Sequence, residues 1–247
     1  MQTNDTLGSL YTEPADPAWG WRDVAAALLF ALFGGIVLLM LSAFAVASLG
    51  LPEGEGLTSP IAFVFGAGIY MLLIVGVYLF AARRAGWQAL GLGGTAAINY
   101  WLVPPLFLLG MGGLLLANGA IAFFTGSFEN PQVEAITGGG ALSTRDFVLL
   151  FVLIAVLAPF AEELFFRGML YPLLRRGRAA WLAITINALL FALVHFIPLL
   201  IPGLFIVGLL LAYLRERSAS IWPSICFHML QNSLALIAIY AAFQMEV

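Results

Sequence analysis

The sequence predicts an all-α fold, a polytopic membrane helix bundle of seven to eight transmembrane helices, from its composition and from the spacing of its charges. Of the 247 residues, 62% are hydrophobic and 9% are charged, and the mean hydropathy is +1.02. Soluble domains contain about 25% charged residues, so this chain has too little polar surface to cover a compact body in water. The uncharged stretches between its charges are long enough for helical spans, which need about 20 residues each. The chain is therefore expected to be an integral, multi-pass membrane protein surrounded by the lipid bilayer.

The charged residues delimit the predicted spans. Five spans are expected at residues 24–49, 59–82, 100–124, 146–176 and 220–243. Between the last two of these lies an uncharged stretch, 179–214, that is interrupted at Pro198 and again at Pro202 and Gly203. Because this stretch is too long for one span and proline interrupts helices, we expect it to form two spans. One of them contains His195, and the total is then seven.

The interval 85–128 is longer than a single span requires. Its Gly-rich beginning, which includes Trp87 and Leu90, is expected to lie along the membrane interface. If the interval holds a re-entrant or interfacial helix in addition to the span at 100–124, the count rises to eight.

The arginines predict the orientation of the chain. All ten basic residues are Arg. Among the arginines near span ends, Arg145 alone falls on one side of the predicted membrane. The others fall on the opposite side, and they are Arg22, Arg83, Arg84, Arg175, Arg176, Arg178, Arg215 and Arg217. Cytoplasmic loops carry the excess of basic residues, so the N-terminus is expected in the cytoplasm. We divide the chain into an N-terminal cytoplasmic tail (1–23), N-terminal membrane helices (24–145) and a C-terminal membrane core (146–247).

Charge and cysteine content exclude some classes of protein. The net charge is −3, Lys is absent, and no basic patch exists that could hold nucleic acid, so no nucleic-acid partner is expected. Cys226 is the one cysteine, so no intramolecular disulfide can form.

Ionisable residues inside a predicted span mark the fourth span as unusual. Charged groups at bilayer depth cost about 2.5–3.5 kcal/mol each, so they need partners and usually mark function. Glu163 and Arg167 are four residues apart and can pair along one helix face. Glu162 is turned about 100° away from Glu163 by the helical period, which leaves its carboxylate free to face another part of the bundle. We expect one acid to be held structurally and its neighbour to be available for chemistry.

Two later spans carry imidazole groups at a similar expected depth. His195 follows Phe191 by four residues, and Asn232 follows His228 by four, so each pair is predicted to share a helix face. Distances from the nearest arginines at about 1.5 Å per residue bring these groups and Glu162 into one layer of the membrane. The aromatic side chains near the motifs, Phe191 among them, are predicted to be walls of the site.

This set of groups suits hydrolysis by water. A carboxylate beside a neutral imidazole can take a proton from water, while His and Asn donors can hold the oxyanion that forms at a carbonyl carbon. The sequence leaves a metal mechanism open, because Glu162, His195 and His228 are plausible zinc ligands. No His-Glu-x-x-His helix is present, so no cofactor is expected, with zinc as the alternative.

The motifs resemble those of the CAAX-processing and bacteriocin-processing endopeptidases, the CPBP or Abi-domain family, which includes the type II CAAX prenyl endopeptidase. Its motifs Glu-Glu-x-x-x-Arg, Phe-x-x-x-His and His-x-x-x-Asn/Asp stand here in the same order, and the match covers about residues 146–243. The motif residues in this chain are Glu162, Glu163, Arg167, Phe191, His195, His228 and Asn232.

The resemblance implies an intramembrane endopeptidase that acts on membrane-associated or lipidated peptides and proteins. Glu162 would be the general base on a water held with His195, His228 and Asn232 would stabilise the oxyanion, and Glu163 and Arg167 would support them. Family members have been described both as metalloproteases and as metal-independent glutamate proteases. Two other classes stay open: a non-catalytic immunity or scaffold protein, and a proton-coupled transporter.

Overall fold

The computed structural model describes residues 16–49, 57 and 59–245, and within these ranges the chain is almost entirely helical, with no strand. We number the helices α1 to α8 in chain order. They are α1 (Trp21–Leu49), α2 (Pro60–Ala85), α3 (Ala97–Thr125), α4 (Pro131–Thr137), α5 (Thr144–Arg175), α6 (Ala180–Leu193), α7 (Pro198–Ser218) and α8 (Trp222–Met245). Residues 1–15 of the predicted tail and the last two residues of the predicted core lie outside the described residues.

Within the described ranges, six helices are long and apolar enough to cross a membrane: α1, α2, α3, α5, α7 and α8. The shorter apolar helix α6 has 14 residues and therefore rises about 21 Å at 1.5 Å per residue, less than a bilayer core. The predicted fold class, an all-α membrane bundle of seven to eight helices, is confirmed, and the chain is a multi-pass membrane protein.

The α6–α7 connection differs from the prediction. Helix α6 ends at Leu193, so His195 lies in the turn after the helix and not within a span. Two residues keep the helix from continuing into α7: Phe196 takes a left-handed conformation (φ 54°), and Ile197, which precedes Pro198, is extended, as a residue before proline usually is. The prediction that Pro202 interrupts the helical chain is wrong. Pro202 lies in the first turn of the α-helical part of α7, Ile201–Ser218, where a missing N–H leaves no helical bond unmade.

Helix α5 lies at the centre of the bundle. Its residues from Glu163 to Leu174 are all buried, and two stretches, Phe151–Leu157 and Leu164–Leu170, have π-helical geometry. Such π turns shift the register of the backbone bonds and occur often at functional sites. In the second stretch the carbonyl oxygen of Phe166 accepts from Tyr171 N and also from Asn187 Nδ2, the latter at 2.9 Å, which ties α6 to α5.

Helices α6 and α7 form a tightly packed hairpin. A Cβ atom on Gly208 of α7 would lie 2.9 Å from the Cα of Ala188 on α6, so only glycine fits this crossing. The buried carbonyl oxygen of Gly208 accepts a hydrogen bond from Arg167 Nη2 at 3.1 Å, which ties the hairpin to α5.

The end of the bundle where α2, α5 and α7 terminate carries most of the arginines, and we call it the arginine-rich end. The loop between α2 and α3 folds back into this end. Leu90 of that loop is fully buried, so the prediction that it lies along the interface is wrong. Gly91 takes a left-handed conformation (φ 84°), and its carbonyl accepts from Ile221 N and from Ser220 Oγ. These bonds hold the loop against the start of α8.

Candidate active site

The three predicted motifs meet at one cavity inside the bundle. Glu162 comes from α5, Phe191 and His195 from the end of α6 and the following turn, and His228 and Asn232 from α8, and all five line the cavity. Three elements that are distant in sequence thus deliver the predicted groups to one place. Glu163 and Arg167 do not line the cavity and lie behind it.

Glu163 and Arg167 form a fully buried pair. Both side chains have 0% exposure, and Arg167 Nη1 donates to Glu163 Oε1 at 2.8 Å. The same carboxylate oxygen lies 3.0 Å from His228 Nδ1. A carboxylate accepts only, so His228 Nδ1 carries the proton of this bond. Glu163 therefore fixes the orientation of His228 and presents its other nitrogen, Nε2, to Glu162.

Glu162 has a different environment from its neighbour. Its Oε2 lies 3.8 Å from His228 Nε2, and its side chain is 16% exposed. This distance is too long for a direct hydrogen bond but suits two groups that act on a common water or substrate atom. Among the described residues that line the cavity, Glu162 is the single acidic one, and no basic arginine is present.

His195 is also oriented by the backbone. Its Nδ1 lies 2.8 Å from the carbonyl oxygen of Phe191, which can only accept, so Nδ1 is the protonated nitrogen. In the neutral ring Nε2 then has a free lone pair. His195 continues the helical spacing from Phe191 for one more turn, although α6 itself has ended.

The side-chain amide of Asn232 is held by a hydrogen bond from its nitrogen. Its Nδ2 donates to the carbonyl oxygen of Ile154 at 2.9 Å, and Ile154 lies in the first π-helical stretch of α5. The bond fixes which end of the amide is the nitrogen, and the second hydrogen on Nδ2 is available to another acceptor.

Phe191 forms the wall between these groups. Its ring centroid lies 5.0 Å from that of His195 and 5.7 Å from that of His228, both edge to face. The Arg167 guanidinium lies 4.5 Å from the same ring centroid, on the buried side. The aromatic ring separates the buried ion pair from the cavity and contacts both imidazoles.

Tyr70 is a site residue that the sequence reasoning missed. It comes from α2, outside the three motifs, lines the cavity, and places its hydroxyl beside the Glu162 carboxylate. The available signal was weak, because a single hydroxyl in an apolar span resembles an interfacial tyrosine.

The residues predicted to bind zinc, in the metal-dependent alternative, are Glu162, His195 and His228. All three residues line the cavity, but among the described residues no group of three or more His, Cys, Asp or Glu side chains is arranged to hold a metal ion. Both imidazoles are oriented by bonds at Nδ1, so each presents a single nitrogen to the cavity.

The cavity has a volume of about 560 Å³ and extends away from the arginine-rich end. At its far end it is lined by Leu57 and by residues of α4 and its preceding turn, including Asn130, Gln132 and Ile136. Most of its wall is apolar. The cavity therefore joins the motif residues to the end of the bundle opposite the arginines, which we call the α4 end.

Comparisons with known proteins find similarity in the part of the chain that contains this site. A family model described as "Type II CAAX prenyl endopeptidase Rce1-like" matches residues 144–234, the segment that contains all three motifs. An uncharacterized 24.3 kDa protein of Escherichia coli is 30% identical over 146 residues, which cover 56% of this chain and 62% of that protein. No solved structure matches the chain. Residues 144–234 thus match the family model of the type II CAAX prenyl endopeptidases, as the resemblance to the CAAX-processing endopeptidases predicts.

Proposed function

We propose that this protein is an intramembrane endopeptidase that hydrolyses peptide bonds of membrane-associated or lipidated substrates with a water molecule activated by Glu162. One observation carries the proposal. Of two adjacent acids, Glu163 is fully buried in an ion pair, whereas Glu162 faces an apolar cavity 3.8 Å from an imidazole nitrogen. The family match over residues 144–234 supports the same class of activity.

In the proposed reaction Glu162 takes a proton from water, and the oxygen adds to the carbonyl carbon of the scissile bond. The lone pair on His195 Nε2 accepts the second hydrogen of the water and so directs its oxygen. Glu162 then gives its proton to the leaving nitrogen, the C–N bond breaks, and a carboxylic acid and an amine are released. The protein forms no covalent bond to the substrate.

His228 and Asn232 stabilise the oxyanion in this scheme. With both ring nitrogens protonated, His228 donates through Nδ1 to Glu163 and through Nε2 into the cavity. Asn232 contributes the amide hydrogen that Ile154 does not use. The cluster of Glu162, Glu163, Arg167 and His228 then has no net charge, which is the arrangement that low-dielectric surroundings favour. Donors fixed in advance in a dry site are effective in catalysis.

Zinc is the alternative source of an activated water. It would be held by Glu162, His195 and His228 and would supply a hydroxide at neutral pH. The orientation of the arginine-rich end toward the cytoplasm is likewise a proposal, based on the arginine distribution.

The test uses purified protein in liposomes with a library of membrane-anchored peptides, and mass spectrometry identifies the products. We expect wild type to cleave, Glu162→Gln to lose cleavage while keeping its thermal unfolding temperature, and a chelator to have no effect. Persistent turnover in the variant would contradict the general-base assignment, and loss of turnover with chelator alone would favour zinc. Solute flux without cleavage would support a transporter, and neither flux nor cleavage would support a scaffold.

A further inference from the structure

The cavity contains an acceptor that no group in the described part of the chain satisfies. Gln231 precedes Asn232 on α8 and lines the cavity, and its Oε1 is buried without a hydrogen-bond partner. A buried acceptor without a donor is costly. Of the four buried side-chain atoms left unpaired among the described residues, Gln231 Oε1 is the one whose residue lines the cavity, so a bound molecule can supply its donor.

Other polar groups in the cavity are of the same kind. Asn118 from α3 and Gln132 from α4 add carboxamides that can both donate and accept. The remaining wall toward the α4 end is apolar and includes Leu114, Leu204 and Ile239. Apart from Glu162 and the two imidazoles, no ionisable carboxylate or arginine lines this part of the described structure.

This lining favours one class of occupant. An uncharged peptide segment with apolar side chains fits the walls, and one of its backbone N–H groups supplies the donor that Gln231 Oε1 lacks. These N–H groups are free only if the segment is extended, since a helix uses its N–H groups internally. A polyisoprenoid chain has no donor for Gln231, and no arginine among the described lining residues can pair with a terminal carboxylate.

We infer that the cavity binds an extended, uncharged peptide segment that enters from the α4 end, and that Gln231 Oε1 accepts a hydrogen bond from a backbone N–H of that segment. The inference rests on the proposed function and specifies its substrate. The arginine-rich end offers no comparable entrance, because the loop around Leu90 and Gly91 is packed and hydrogen-bonded there.

Binding is tested without turnover, on the Glu162→Gln protein in nanodiscs. The probe is a fluorescent apolar peptide of about twelve residues that wild type cleaves, compared with versions carrying one Asp or one Lys beside the cleavage site. We expect the charged versions to bind at least tenfold more weakly. Equal binding of charged and uncharged peptides, or preferential binding of a farnesylated control peptide, would overturn the inference while leaving the Glu162 assignment intact.

Backbone recognition by Gln231 is tested with ester substitutions that replace one peptide N–H at a time by oxygen. At one position we expect the ester to weaken binding five- to tenfold, and this loss should vanish when Gln231→Leu is added. Gln244→Leu is the matched control on the same helix, because Gln244 bonds to Leu142 O and does not line the cavity. If the ester effect is the same with and without Gln231, the assignment of this acceptor is wrong.

The entrance is tested by thiol protection in a Cys226→Ser background. Gln132→Cys places a thiol at the α4 end, and Gln88→Cys places one on the exposed surface of the arginine-rich end. We expect the apolar peptide to slow maleimide modification at position 132 at least fivefold and to leave position 88 unaffected. Protection at position 88 alone, or at neither position, would contradict entry from the α4 end.

Discussion

The two ends of the bundle are built in opposite ways. At the arginine-rich end, side chains from distant parts of the chain bond to free carbonyls: Trp19 to Met169, Arg215 to Arg167, and Ser220 to Gly91 and Gly93. At the α4 end the same helices separate around a cavity of about 560 Å³. The difference indicates that one end provides the rigidity that positions the motif residues, while the other provides space and access.

Helix α5 links the two ends, and its adjacent acids belong to different ends. Glu163 joins the dense hydrogen-bonded part through Arg167 and His228, and Glu162 faces the cavity. Successive residues of a helix point about 100° apart. This rotation is sufficient to place one acid in the buried ion pair and its neighbour in the cavity. The contrast between the ends can be tested with substitutions that should affect stability, activity or both.

The largest effect is expected from removing the buried cation. Arg167→Met leaves Glu163 buried with no arginine partner, which should destabilise the protein by about 3–5 kcal/mol. Thermal unfolding in detergent measures this loss. The double variant Glu163→Gln with Arg167→Met should recover a large part of it, because no uncompensated charge remains. An unchanged unfolding temperature in the single variant would show that the pair does not support the packed region.

The next effect concerns activity at the cavity and leaves the packed end unchanged. Asn232→Ala removes one proposed oxyanion donor, so kcat should fall by about 10²–10³-fold, with little change in KM. Asn118→Ala is the control, since it removes a carboxamide from the same cavity at a position outside the motifs. Similar losses of kcat in the two variants would contradict a specific role for Asn232.

A smaller effect is expected at the arginine-rich end. Ser220→Ala removes the hydroxyl that bonds to Gly91 O and Gly93 O, and a buried group left unpaired costs about 1–3 kcal/mol. The unfolding temperature should fall, while turnover per folded molecule stays at the wild-type value. Reduced turnover without a change in stability would mean that the closed end takes part directly in the reaction.

The smallest effect is expected from the hydroxyl of Tyr70. A net hydrogen-bond contribution is about 0.5–1.5 kcal/mol, so Tyr70→Phe should lower kcat/KM by at most about tenfold with no loss of stability. Tyr78→Phe is the matched control on α2, because its ring stacks on Trp87 at the arginine-rich end. Equal kinetic effects in both variants would rule out a particular interaction of Tyr70 with Glu162.

The sequence predicted the elements that depend on local patterns. The spans follow from the spacing of charges, and the pairing of Glu163 with Arg167 follows from helical geometry. The sequence did not predict that α6 ends before His195. Pro198 restricts the backbone conformation of the residue before it, but it does not determine where the helix ends farther upstream. The burial of Leu90 and the approach of Tyr70 to Glu162 depend on long-range packing, which the composition of an apolar chain does not encode locally.

The most direct test of the central claim compares the two adjacent acids, Glu162→Gln and Glu163→Gln, in one experiment that measures turnover per folded molecule and thermal unfolding. The account predicts that Glu162→Gln abolishes turnover at an unchanged unfolding temperature. It predicts that Glu163→Gln lowers the unfolding temperature, because Arg167 is then buried without its counter-charge. The opposite assignment, with Glu162→Gln active or with Glu163→Gln fully stable, would contradict the division of roles between the two acids.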